Sequence, residues 1–271
     1  MTSHDVVLIA RRACGERRIG HAGTLDPFAT GLLVLLLGRA TRLLPHMDGE
    51  PKVYRATIAF GTETDTDDLD GQVTRSAEPP AVAAVLAALP ALTGDLLQTP
   101  PQYSAKRVDG RRAYAAARAG EHVELRPVPV RVDSWQVLGW SGPHLEARVS
   151  CGGGTYVRSL ARDLGRLAGS AAHLQALRRE RSGPFRVEDA STVEQLRDGE
   201  ATIRPPLEAL GGMPRQRLDE DEVGRIVRGI DVAATVPGER GALTHPTSDA
   251  LVAVAERRGD RWQPRVVMRE A

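Results

Sequence analysis

Short apolar stretches alternate with turn-rich polar ones along this chain, and few keep one period for long. Thr2 and Ser3 stand where a helix cap belongs. Val6, Val7, Ile9 and Ala10 give the residues after them an apolar stripe, so a helix is predicted to about residue 17. LLVLLL (32–37) lies between Gly31 and Gly38 and is too short for a typical helix, so it reads as a buried strand. A short helix follows from about Arg39 to Met47, then a strand over 53–60 with Tyr54 near its start. The pattern further predicts an Ala/Leu-rich helix over 80–92 and strands over 128–139 and 144–151. The second strand alternates as Leu145, Ala147, Val149 and Cys151. Helices are expected from about Val157 and over about 170–179.

Three segments stand apart from these elements. GTETDTDDLDGQV, beginning at Gly61, is polar, acidic and turn-rich and reads as a loop. It lacks the carboxylate spacing of a calcium loop. Residues 96–131 hold a proline pair, Tyr103, a basic stretch and a helical piece near 111–119, and read as an inserted arm. PPLEALGGMP, near residue 205, reads as a linker, and beyond it an acidic-start helix (219–229) and three or four short strands form a β-rich module. Helices and strands alternate without a βα repeat, which points to an α+β fold: a mixed, largely antiparallel central sheet with flanking helices. The expected organisation is a domain over 1–212, carrying the arm, and a small C-terminal module over 213–271.

Composition narrows the function more by exclusion than by assertion. No apolar run approaches the ~18 residues a membrane helix needs, and the start shows no signal-peptide pattern, so a cytoplasmic protein is expected. Cys14 and Cys151 are isolated, and the seven histidines lack metal-ligand spacing, so neither disulfide nor metal is expected. The glycines of GGGTYVRSLARDLG lack phosphate-loop spacing and read as a strand-to-helix turn. Net charge is only +1, but its distribution is uneven. Residues 101–131 carry seven Lys/Arg against three acids, and 155–186 carry seven Arg against two; 61–80 carry six acids and one Arg. Two basic segments converging on one face, with the acids elsewhere, would attract phosphate; separate solvated basic faces are the plainer reading.

GHAGTLDPFATG (20–31) is the most informative run. It has no helical or strand period, and its three glycines and one proline force sharp turns just before LLVLLL. Asp26 in its middle is either a turn-capping carboxylate or a reactive one presented by a rigid scaffold; local sequence leaves both open.

Four segments taken together resemble the TruB family of tRNA pseudouridine synthases: GHAGTLDPFATG, VYRATIAFGTETDTDDLDG, PPQYSAKRVDGRRAYAAARAG and GGGTYVRSLARDLG, in the family's order and spacing. The likeness runs from about residue 1 to 205 and is weaker beyond. It implies conversion of uridine to pseudouridine at position 55 in the T loop of tRNA, a mixed α/β catalytic core, an RNA-gripping arm and a small C-terminal PUA-like module. It implies no cofactor. Carried over by motif, Asp26 is the catalytic aspartate. Tyr54 stacks on the flipped uracil and is a candidate proton acceptor, and Arg158 pairs with the catalytic carboxylate. His21 wedges into the RNA loop, Tyr156 lies two residues before Arg158, and Leu177 lines the uracil pocket. In the arm, Lys106, Arg107, Arg111 and Arg112 face the RNA backbone.

The family usually opens with an apolar strand and a Lys-Pro-x-Gly segment; this chain begins at the helix start that follows, so that strand is expected to be lacking. The expected partner is the T stem-loop of tRNA, bound by a monomer without a guide RNA. The rival reading is a non-catalytic tRNA-binding chaperone on the same scaffold.

Overall fold

The computed structural model describes residues 1–103, 107–108, 111–112 and 125–268, the two short pieces within the arm by backbone alone. It is α+β, as the sequence predicts. The chain divides into two compact units. One comprises Met1–Pro27, Leu33–Gly49 and Gly183–Ala271; the other comprises Phe28–Leu32 and Glu50–Ser182.

The second unit is built on an antiparallel sheet running Gly94–Gln98, Val128–Ser141, His144–Cys151, Lys52–Phe60, Ala172–Ser182. Thr30–Gly31 pairs with Ala172–Ser182 in parallel. His144–Cys151 alternates as expected, with Leu145, Ala147, Val149 and Cys151 fully buried. Against this face lies the Val157–Leu167 helix, contributing Val157, Leu160, Ala161 and Leu164 at the spacing of one helical face. The packing is close: a Cβ on Gly165 would lie 2.5 Å from the Ala172 nitrogen.

In the first unit, Thr2 caps the Ser3–Ala13 helix through a capping box with Asp5. Ile19–His21 pairs antiparallel with Leu35–Leu37, and Val7, Ala10 and Ile19 form a small core beside them. Five C-terminal strands make a second sheet in the order Arg215–Arg217, Arg240–Thr244, Leu251–Arg258, Arg261–Val267, Val232–Ala233. Leu43, from the Gly38–His46 3-10 helix, is fully buried with Leu210, Ala242, Leu251, Val254 and Val266.

Several elements differ from the sequence expectation. Residues 170–179 are not a helix; Ala172–Ser182 is a strand of the main sheet. A bulge between Leu174 and Ala176 breaks the two-residue alternation and returns Leu177 to the buried side three residues after Leu174. That spacing imitates a helical stripe. LLVLLL is only partly strand, over Leu35–Leu37, although Leu32, Val34 and Leu36 are all buried. The first helix stops at Ala13, and the 80–92 helix is Val82–Ala88 followed by a 3-10 turn, Leu89–Leu92. The acidic 61–73 stretch is no plain loop, since Thr62–Thr64 pairs with Val73–Ser76 as a hairpin. Within the arm, Arg107–Val108 pairs with Arg111–Arg112 as two short strands, so the helical piece expected near 111–119 does not include Arg111 and Arg112; residues 113–119 lie outside the described residues.

Candidate active site

Asp26 sits at the end of a tethered turn. Two residues of its own unit fix the approach: the Ala22 amide donates to the Val34 carbonyl at 2.9 Å, and the Leu25 amide donates to the buried Ser3 hydroxyl at 3.0 Å. The backbone immediately before Asp26 is therefore bonded to the first turn of the N-terminal helix. His21 closes the Ile19–His21 strand of the same unit.

Beyond Pro27 the chain enters the other unit. Phe28 and Ala29 pack on its main core, and Thr30 and Gly31 pair with Arg178 and Arg179. The Leu32 amide donates to the Arg179 carbonyl at 2.9 Å, and the buried Arg179 Nε donates back to the Leu32 carbonyl at 2.7 Å. Gly31 has a φ of 97°, and a Cβ there would run into the Arg179 carbonyl, so only glycine fits. The turn is thus fastened on both sides by hydrogen bonds that this local sequence does not reveal.

Tyr54 and Leu177 are brought together, both buried in the main core with Val157 and Leu160. Tyr54 lies opposite Val149 on one neighbouring strand and Arg179 on the other.

Arg158 begins a row. Arg158, Arg162 and Arg166 recur at four-residue spacing along one face of the helix. Arg158 is 5% exposed; it donates to the Thr66 carbonyl at 2.9 Å, to the Asp68 carboxylate at 3.2 Å and to the Tyr103 carbonyl at 3.0 Å. Asp68 is itself oriented by the Thr66 hydroxyl at 2.6 Å and the Asp70 amide at 3.1 Å. Arg162 donates to Asp67 at 2.7 Å, to Asp163 at 2.9 Å and to the Thr99 carbonyl at 3.0 Å. Arg166 grips Glu63 with two bonds, 3.0 and 2.7 Å, and Arg75 adds a third at 2.7 Å. The acidic 61–73 segment therefore lies along the arginine face and pairs with it. This corrects the picture of the 155–186 basic segment as a free phosphate surface with the acids elsewhere, because three of its arginines are engaged by carboxylates of the 61–73 segment.

Burial and charge act in opposite senses on these acids. Burial pushes Asp67 up to about 6, only partly countered by Arg162 and Arg158. Burial also raises Glu63, but hydrogen bonds from Arg166 and Arg75 outweigh it and leave its carboxyl below the usual range. Burial pushes the Cys151 thiol up to about 11.

Tyr156 is the residue from which the helix starts, and its backbone is held by Gln98. In the arm, Arg107, Arg111 and Arg112 are placed by backbone only, and Lys106 lies outside the described residues. Asp68 and Gln98 were not singled out by sequence reasoning, and Ser3 only as a helix-cap residue. For Asp68 a signal existed: a run of acids at 63, 67 and 68 and a run of arginines at 158, 162 and 166 are of opposite sign. Among the described residues no helix is long and apolar enough to cross a membrane.

The same architecture occurs in an H/ACA ribonucleoprotein bound to a substrate RNA containing 2'-deoxyuridine, with a TM-score of 0.75 over 100% of this chain and 82% of that one, at 23% identity. An archaeal box H/ACA complex matches with a TM-score of 0.72 over 98% of this chain and 82% of that one. At such identity the likeness is one of fold. Residues 11–157 match the family described as TruB family pseudouridylate synthase (N terminal domain). Residues 158–210 match the tRNA pseudouridylate synthase B C-terminal domain. A protein named tRNA pseudouridine synthase B in Thermobifida fusca is 47% identical over 277 residues, 98% of this chain and 94% of that protein. One of the same name in Mycobacteroides abscessus is 42% identical, covering 100% of this chain and 93% of that protein. The fold and these matches define an RNA-modifying enzyme of the pseudouridylate synthase class. The chain belongs to the TruB family.

Proposed function

We propose that this protein converts uridine to pseudouridine at position 55 in the T loop of tRNA, acting alone and without a guide RNA. The observation that carries the reading is family membership across 11–210, with relatives of nearly equal length named for tRNA. Asp26 is the nucleophile, attacking carbon 6 of the ring or carbon 1′ of the sugar. The bond from N1 to carbon 1′ breaks, the ring turns, carbon 5 joins carbon 1′, and the bond to Asp26 breaks to return its carboxylate. Carbon 5 gives up its proton and N1 gains one, so atoms balance without redox change and the reaction needs no cofactor.

Tyr54 is the stacking partner of the extruded ring and the candidate acceptor of the carbon-5 proton, and Leu177 adds apolar wall. Arg158 is the charge partner of the Asp26 carboxylate. His21 fills the gap in the RNA stack, offsetting part of the few kcal/mol that base flipping costs. Tyr156 lines the approach to the ring. Lys106, Arg107, Arg111 and Arg112 hold the RNA backbone from the arm. The C-terminal β module serves as a PUA-like RNA contact, and the protein works as a monomer in the cytoplasm.

The test is incubation with an unmodified tRNA transcript, followed by mapping of pseudouridine. Conversion at position 55 supports the reading; tight binding with no conversion would favour the chaperone function instead.

A further inference from the structure

We propose that Gln98 is a positioning residue for Arg158, acting by fixing the backbone of Tyr156 from which the Val157–Leu167 helix starts. The inference rests on the pseudouridine-forming activity proposed above.

The chain before this helix cannot hold itself. Gly152, Gly153 and Gly154 precede Thr155 and Tyr156, and glycine leaves the backbone more freedom than any other residue. The first residue of the turn is bonded, Gly152 donating to the Arg131 carbonyl at 2.9 Å, and Gly153 donates to Glu50 at 2.7 Å. The Thr155 hydroxyl adds a bond to the Arg131 carbonyl at 3.4 Å, so these bonds hold residues 152, 153 and 155 rather than the Tyr156 backbone. Tyr156 occupies the cap position with an extended backbone, and its side chain makes no cap bond. Serine, threonine or aspartate would normally serve there.

Gln98 supplies what Tyr156 lacks. It is the last residue of the Gly94–Gln98 strand and only 2% exposed. Its Oε1 accepts the Tyr156 amide at 2.9 Å, and its Nε2 donates to the Tyr156 carbonyl at 3.1 Å. Both halves of one side-chain amide thus grip both polar groups of one peptide residue, as a neighbouring strand would. The Tyr156 carbonyl also takes the first intrahelical bond, from Leu160 at 3.1 Å, so the grip bears directly on the first turn. Arg158 stands in that turn.

The segment after Gln98 extends the attachment along the same helix. The Thr99 carbonyl accepts from Arg162 and the Tyr103 carbonyl from Arg158, each at 3.0 Å. Pro100 and Pro101 stiffen the stretch between them. The chain that leads into the arm therefore meets the helix at its start and at two arginines, and Gln98 is the one side chain among these contacts that serves the backbone at both polar groups.

The deciding experiment compares wild type, Gln98→Met and Gln98→Glu on an unmodified tRNA transcript. The readouts are the single-turnover rate at saturating enzyme, the transcript Kd and the thermal midpoint. Gln98→Met keeps the volume and removes both bonds; its rate should fall by roughly tenfold or more while Kd stays within about twofold, at temperatures well below melting. In Gln98→Glu an ionised carboxylate still accepts the Tyr156 amide but sets its other oxygen against the Tyr156 carbonyl. Protonation restores the donor, so its rate relative to wild type should rise as pH falls from about 8 to about 6. A purely structural role would lower the thermal midpoint and leave the rate of the folded protein and its pH profile at wild-type values. A Gln98→Met rate equal to wild type, or a flat Gln98→Glu ratio, overturns the proposal. If Gln98→Met does not fold, the Gln98→Glu ratio decides alone. An active wild type with unaffected variants overturns the positioning role only, whereas an inactive wild type overturns the reading beneath it as well.

Discussion

Arg158 and Asp68 form an ion pair at 3.2 Å with both side chains under a tenth exposed. Removing Asp68 would take one carboxylate from a buried guanidinium, which costs far more than the same loss at an exposed one. Asp68→Ala should therefore destabilise the protein toward the lower end of ~3–5 kcal/mol, since the Thr66 and Tyr103 carbonyls remain as acceptors. Urea unfolding measures this; a loss below about 1 kcal/mol would show that the pair contributes little.

Asp67 gives the neighbouring pair a pH signature. Its carboxyl is raised to about 6 from an ordinary 3.8, so the folded chain keeps a proton that the unfolded chain has already released. Stability contributed by the protonated form is present below about pH 4 and is lost as pH rises through about 6. Asp67→Asn retains an oxygen for Arg162 and cannot titrate. Between pH 5 and 7.5 the wild type should lose on the order of 1 kcal/mol relative to this variant. Parallel stability curves for the two proteins would contradict the prediction.

The Ser3 hydroxyl holds Leu25, one residue before Asp26. Ser3→Ala should cost about 1 kcal/mol of stability, the worth of one hydrogen bond. It should also slow pseudouridine formation several-fold without weakening tRNA binding, as the turn loosens. Single-turnover kinetics and filter binding separate the two effects; a reduced affinity at an unchanged rate would contradict this account.

The parts of the fold that were legible in the sequence are those with an undisturbed period. His144–Cys151 alternates cleanly, and its four inward residues are those the pattern names. The Val157–Leu167 helix begins where the glycine turn predicts. Ala172–Ser182 was misread because its bulges shift the phase, leaving Leu174 and Leu177 three apart. Long-range polar pairing was harder still. Nothing near Gln98 says that its amide meets Tyr156, 58 positions away, because the sheet that joins them exists only in the folded chain. The arginine row was visible as a basic segment, but its neutralisation by Glu63, Asp67 and Asp68 depends on a hairpin read as a loop.

The arm's charges can be tested without knowing their side-chain geometry. Replacing Arg111 and Arg112 together by glutamine should weaken tRNA binding and reduce the slope of log K against log salt by roughly one to two. An unchanged slope would show that these residues do not neutralise phosphate.

The central claim is that Asp26 attacks a uridine of tRNA. Its most direct measurement is release of tritium from carbon 5 of uridine in a labelled, otherwise unmodified transcript, with wild type and Asp26→Asn side by side. Wild type should release the label with pseudouridine mapping to position 55, and Asp26→Asn should release none while still binding the transcript. Full release by Asp26→Asn, or release by wild type with no pseudouridine at position 55, would contradict it.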